Sequence, residues 1–292
     1  AWVTVQQGSN VFSTQTDDTG TYTIVPFGFT EASFDIRVTY KTFKAVSGTL
    51  TWNHSSGKTW DSSIDTSLDT SEIHIASEED LLQLAKNVAD LSGKTIILDN
   101  DIVVSSWGNG FKGIDYTNTA ISNLKFQGNG HSISGMTRPL FHTDIDSEKS
   151  GNTQMLNNCV FEDLHLRGEI TISGLASVGY GALCGILSET DSRIDGCSFE
   201  GSIYYKGSLK NSRLGGLVGT LRNGAKISNS CVKLNSLKTN EKVNHIGGIC
   251  GYIIAASAQN CYTIVEEMEW TGNCTVGVIT GENNNGSAIN DC

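Results

Sequence analysis

Gly215-Gly216-Leu217-Val218-Gly219 is one of four related pentads, the others being Gly181-Ala182-Leu183-Cys184-Gly185, Gly247-Gly248-Ile249-Cys250-Gly251 and Gly277-Val278-Ile279-Thr280-Gly281. Their final glycines step by 34, 32 and 30 residues. A second series, Asn158-Cys159, Gly196-Cys197, Ser230-Cys231, Asn260-Cys261 and Asp291-Cys292, steps by 38, 34, 30 and 31. A shared period near thirty residues is the mark of a solenoid, in which each coil buries its apolar face only against its neighbours. Stacked strands lie ~4.8 Å apart, so equivalent residues of successive coils form ladders. The spacing predicts an all-β right-handed parallel β-helix of about six coils. Cys197 and Phe199 are expected on one face of a strand and Ser198 and Glu200 on the other. Lys233 breaks that alternation one coil later, so a bend or register shift is expected there.

Upstream of the pentads, Leu81, Leu84, Ala85, Val88 and Leu91 follow helical spacing. Ser77 and Asp80 approximate a capping box, acidic residues fill the first turn, and Gly93 is a natural stop. This predicts a short helix that covers the open end of the solenoid core, as such folds need at their termini. Residues 1–72 lack the repeat. There Thr21–Pro26, Phe34–Tyr40 and Val46–Trp52 alternate like half-buried strands, with a turn at Asp17–Gly20. A small β-sandwich, whole or partial, is expected over 1–72, and the capping helix with the β-helix over 73–292.

The bulk composition agrees. The chain has 292 residues, 32 Gly and only 2 Pro, with 20 basic and 31 acidic residues and a net charge of -11. That balance argues against nucleic acid and against an anionic membrane surface. No run of apolar residues is long enough to span a membrane. The opening at Ala1-Trp2 reads as a processed or trimmed chain, with any export signal or anchor lying outside it.

The G-G-[LI]-x-G pentads followed by N-C or [ND]-x-C resemble the GLUG-type repeats of bacterial surface proteins. So do Ser77–Ala85, Ile102–Trp107 and the turn Gly128-Asn129-Gly130-His131-Ser132-Ile133-Ser134-Gly135, which match that family's helix, strand and turn opening. Pro139-Leu140-Phe141-His142 stands where a further pentad belongs, without its glycines. The resemblance covers Ile73 to Cys292. Thr21–Pro26, the Ile36-Arg37-Val38 strand and Gly57-Lys58-Thr59-Trp60 are similar to part of a fimbrillin-like domain of exported adhesion proteins. Together these likenesses imply an exported cell-surface adhesion or scaffold protein, anchored to an outer membrane through a segment outside this chain. Its partner would be a host or bacterial surface protein or glycan.

Residues that could carry chemistry are few. Eight cysteines read either as a disulfide framework or as buried ladder thiols. Stacked parallel strands present poor disulfide geometry, and Cys274 falls outside both series. No C-x-x-C occurs and no zinc set is expected. Asp144, Asp146 and Glu148 resemble the start of a calcium loop, but Lys149 stands where a turn glycine belongs. Glu266, Glu267 and Glu269 read as a solvated face. His131 belongs to the turn, where a hydrogen-bonding role at the corner is expected, and His142 and His165 have no partner at readable spacing. Tyr204-Tyr205, Tyr262 and Trp270 could stack on sugars, with one of the adjacent tyrosines facing out. No catalytic, cofactor or metal residue is assigned. A polysaccharide lyase or hydrolase, or a carbohydrate-binding module on the same fold, is the alternative, and the enzyme reading is the weaker one.

Overall fold

The computed structural model describes residues 2–7, 10–15, 33–39, 46–51, 71–105, 110–143, 155–172, 179–206 and 212–292. The chain divides into two compact units, Ala1–His74 and Ile75–Cys292.

In the first unit, β1 (Trp2–Gln7), β2 (Asn10–Gln15), β3 (Ser33–Thr39) and β4 (Val46–Thr51) form one antiparallel sheet in the order β2-β1-β3-β4. β3 and β4 fall on the segments expected as strands, whereas Thr21–Pro26 and Asp17–Gly20 lie outside the described residues. β1 and β2 went unread in the sequence. Gln7 pairs with Asn10, so only Gly8-Ser9 joins them, and Val3 and Val5 are buried on one face. That alternation around a Gly-containing two-residue link is itself a hairpin signal.

The second unit opens with α1 (Glu78–Lys86). Ser77 Oγ accepts from Asp80 N and donates to Asp80 Oδ2 at 2.8 Å, while Ala76 N donates to the same carboxylate. This is a capping box displaced by one residue, with the Asp80 carboxylate accepting from the amide of Ala76 and from the Ser77 hydroxyl. Leu81 and Leu84 are buried, and Gly93 takes φ 73°. Glu78 Oε1 accepts from Ser105 N and Phe111 N, both at 2.8 Å, so the helix start is pinned to the first coil.

Beyond α1 the chain is a parallel β-solenoid of about five turns. One face stacks Thr95–Leu98, Lys125–Gln127, Val160–Glu162, Arg193–Asp195, Lys226–Ser228, Ser257–Gln259 and Ala288–Asn290. A second stacks Ile102–Val103, Ser132–Met136, His165–Ile172, Ser198–Tyr205, Cys231–Lys242 and Tyr262–Val265, with Met268–Thr271 alongside Cys231–Lys242. A third runs from Ile121–Ser122 to Thr280–Asn284 in six strands. The pentads join this third face to a fourth, made of Gly179–Tyr180, Arg213–Gly215, His245–Gly247 and Thr275–Gly277.

The core is a set of ladders. Phe126, Phe161, Ile194, Ile227 and Ala258 stack in register with almost no exposure. The Phe141 ring lies edge-on to both Phe126 and Phe161, at 6.5 and 5.6 Å. Phe141 occupies the pentad position without glycines, and its amide donates to Leu183 O as Leu140 N does to Ala182 O.

The pentad glycines serve close backbone approach. A Cβ on Gly219 would fall 2.1 Å from Tyr180 N, so any side chain there would push two layers apart. Turning the chain falls mostly to asparagine and aspartate. Asp163, Gly196, Asn229, Asn260 and Asp291 hold left-handed φ at one corner, spaced 33, 33, 31 and 31 residues apart. Asn123, Asn158, Glu189, Asn223, Ala255 and Asn285 do so at another. Asn and Asp tolerate this conformation because their short polar side chains bond locally. Asn260 Nδ2 donates to Asn229 Oδ1, and Asn229 Nδ2 to Asp195 Oδ1.

This corner corrects the cysteine series. Cys197 stacks on Leu164, Ser230 and Cys261, as shown by Cys231 N donating to Cys197 O and Cys197 N to Ser230 Oγ. Cys231 pairs instead with Ser198 and Tyr262, one position later. Cys159 sits at the other corner, where its amide donates to Ser192 Oγ. Lys233 therefore keeps the alternation: it faces outward opposite Glu200, with Val232 and Leu234 buried on either side. The expected register shift occurs just after it, between Leu234 and Ser236.

Candidate functional site

What the solenoid offers to a ligand is its outer surface. On the first face Glu162 lies between Lys125, at 3.0 Å, and Arg193, one coil to either side. Burial alone would raise the Glu162 carboxyl, but the hydrogen bonds from Arg193 and Lys125 outweigh it and hold its pKa below the ordinary value. On the second face Arg167, Glu200 and Lys233 stack in register, with Glu200 at 3.6 Å from Arg167 and 2.9 Å from Lys233. The Lys233 hydrogen bond, with its charge, lowers the Glu200 pKa. These rows went unread in the sequence, although Arg167, Glu200 and Lys233 recur at intervals of 33 residues, the same period as the corners.

The histidines take places in this scaffold. His131 Nδ1 lies 3.6 Å from Asp101, whose carboxylate also accepts from Ser132 N and Oγ. His142 is buried beside Asp115, its register partner, with Nε2 at 3.2 Å from the Lys112 carbonyl. Burial pushes its pKa down against the opposing pull of Asp115. His165 Nδ1 meets Ser198 Oγ at 2.8 Å. That is a nucleophile–base distance, but among the described residues no carboxylate lies within ion-pair reach to orient the imidazole as a triad needs.

A polar cluster missed by sequence reasoning lies where the third and fourth faces meet. The Arg213 guanidinium sits 4.4 Å from the centroid of the Tyr252 ring, and the His245 ring stacks on it at 5.2 Å. His245 Nδ1 is 3.1 Å from Glu282 and 2.6 Å from Thr275 Oγ1. Arg213, then His245 and Tyr252, then Thr275 and Glu282 come from successive coils, so the cluster ties three coils together.

All eight cysteines are free thiols. Burial raises the pKa of Cys159 and Cys261 to about 11 and of Cys197 and Cys250 to about 12, and pushes the Cys184 thiol up as well. Thiols so far from ionisation are poor nucleophiles and metal ligands. Tyr205 is buried and its hydroxyl bonds Ser212 Oγ at 2.6 Å, whereas Tyr204 is 36% exposed with the Lys206 ammonium 4.8 Å from its ring centroid. Tyr262 and Trp270 are exposed. Glu266, Glu267 and Glu269 are exposed too, and Lys238 lies 2.8 Å from Glu267 and 3.5 Å from Glu269. Asp144, Asp146, Glu148 and Lys149 lie outside the described residues. Among the described residues no group of three or more His, Cys, Asp or Glu could hold a metal ion, and no helix is long and apolar enough to cross a membrane.

A solved structure shares this architecture. The chain is similar to the crystal structure of a "putative immunoglobulin A1 protease" from Bacteroides ovatus, at 16% identity and a TM-score of 0.52, over 77% of this chain and 75% of that one. At that identity the likeness shows the fold alone. No protein-family model matches the sequence, and no curated protein does.

Proposed function

We propose that this chain is a non-catalytic module of an exported, GLUG-repeat-type cell-surface protein, acting in adhesion or as a scaffold through the extended faces of its β-helix. The observation that carries this reading is the use made of surface charge. Lys125 and Arg193 flank Glu162 along one face, and Arg167 and Lys233 flank Glu200 along another. Charges engaged in coil-to-coil pairs brace the surface against its neighbours, which suits broad contact with a protein or glycan. Catalysis would call for carboxylates converging on one point.

A glycan and host-matrix-protein binding array, run with the intact protein, tests the proposal. Saturable binding that weakens when Arg167, Glu200 and Lys233 are replaced together is expected. A clean negative on both arrays sinks the adhesion reading. Release of reducing or unsaturated ends from a polysaccharide panel would establish the enzyme alternative instead.

A further inference from the structure

We infer that Arg213 and Arg222, where the third and fourth faces meet, build a carboxylate-binding site whose ligand is an acidic glycan, gripped through a uronic-acid carboxylate. This rests on the adhesion reading and deepens it by naming the partner's chemistry.

The arginines are the first argument. With 31 acidic residues for 20 basic ones, this chain has carboxylates to spare, and Arg167 and Arg193 are paired with Glu200 and Glu162. Among the described residues the guanidinium groups of Arg213 and Arg222 have neither an ion pair nor a hydrogen-bond acceptor. Arg213 is half-buried over the Tyr252 ring, at 4.4 Å from its centroid. That contact leaves its N–H donors without acceptors, and their planar fork matches a carboxylate. The neighbouring glutamates are engaged, Glu282 by His245 and Glu189 by Ser188 and Asn223.

Two buried atoms point the same way. Leu221 is buried in the core, so Thr220 and Arg222 face outward from one strand, and Thr220 is the register partner of Tyr252. The Thr220 hydroxyl and Arg222 Nε are both buried with no hydrogen-bond partner. A buried donor left unpaired is costly, and a bound anion removes that cost. The backbone then decides between a glycan and a peptide. Arg213–Gly215 and Val218–Arg222 are each paired on both sides, so a peptide finds no strand edge for its main chain. Among the described residues no exposed large apolar side chain lies on these strands to anchor one. A sugar that brings hydroxyls and one carboxylate uses what is there.

The test titrates the intact chain, by calorimetry, with a glucuronate-containing tetrasaccharide, its carboxyl-reduced counterpart, a sulfated neutral tetrasaccharide and a tetraglutamate peptide. The glucuronate sugar is expected to bind saturably and roughly tenfold or more tightly than the other three. Arg213→Lys keeps the charge and loses the fork, so it should cost roughly tenfold in affinity for that sugar alone. Should the substitution loosen the coil, seen as faster hydrogen exchange at Leu214, Arg222→Lys carries the same expectation. Equal affinity for the carboxyl-reduced or sulfated sugar, tighter binding of the peptide, or full affinity in both variants overturns the inference. Binding to neutral glycans or matrix proteins that both variants retain, without a preference for glucuronate, would overturn it and leave the adhesion reading standing.

Discussion

The two ends of the solenoid are built from the same repeat and treat it differently. At the first coils α1 lays Leu81 and Leu84 against the core, and Glu78 ties the helix to two backbone amides. Core positions there, Ile75, Ile96, Ile102 and Ile121 among them, are buried. In the last coil the same ladders continue into Val276 and Ile289 with partial exposure, and into Thr263 and Asn283 at positions held elsewhere by Val232 and Ile253. The contrast teaches that a coil's stability comes from its neighbours more than from its own sequence, as a one-dimensional stack requires.

The largest effect that could break this comparison lies in one ladder. Phe161 and Ile289 occupy equivalent positions, Phe161 with no exposure and with the Phe141 ring against it. Phe161→Ala should cost about 3–5 kcal/mol in urea denaturation. Ile289→Ala should cost less than about 1.5 kcal/mol, because its side chain is already partly in water. Equal losses would show that the last coil is packed as tightly as the middle.

The glycines give a second, smaller contrast. A Cβ on Gly219 meets Tyr180 N at 2.1 Å inside the stack, whereas one on Gly281 meets Ile246 N at 2.6 Å in the outermost coil. Overpacking at Gly219 should cost about 2–3 kcal/mol. Gly281→Ala should cost less, since its Cβ stands farther from the nearest backbone atom. A midpoint for Gly219→Ala indistinguishable from that of Gly281→Ala would remove close packing as the reason for the pentads.

These tests also mark how far the sequence could be read. The pentads reveal the stack because close backbone approach admits little besides glycine, and the helix reveals itself through Ser77, Asp80 and the leucine spacing. The cysteines misled because two corners each place a small residue after a left-handed Asn, Asp or Gly. Cys159 belongs to one corner and Cys197 to the other, yet along the chain they look like one series. Asparagine at the corners was the better marker, since φ near 50° constrains residue type while a buried small side chain can be Cys, Ser or Ala. The surface rows were hidden because a single coil shows only one charge of each. Glu162, for example, gains its meaning from residues 37 positions before it and 31 after it, Lys125 and Arg193.

The capped end can be loosened locally. Ser77→Ala removes the hydroxyl that accepts from Asp80 N and should cost about 1 kcal/mol. Hydrogen exchange of the first turn of α1 should rise while the amides of Lys226–Ser228 stay unchanged. Matching acceleration in both places would mean the helix and the distant coils unfold as one unit.

The smallest effect is electrostatic, and it separates a carboxylate flanked by two cations from one that has a single cation. Glu200 has a lowered pKa, chiefly through the Lys233 hydrogen bond and charge, with Arg167 adding to it. Glu267 is lowered by Lys238. A carboxyl lowered by folding stabilises the native state above its unfolded pKa, and the contribution is lost as pH falls through the folded value. Both glutamates are exposed, so the stability change between about pH 5 and 3 is small, and side-chain carbonyl NMR titration is the sensitive readout. Lys233→Met should return the Glu200 titration most of the way to the ordinary glutamate range while leaving Glu267 unmoved. Movement of both glutamates together would mean that the substitution acts through bulk charge, and that the row does not set the Glu200 titration.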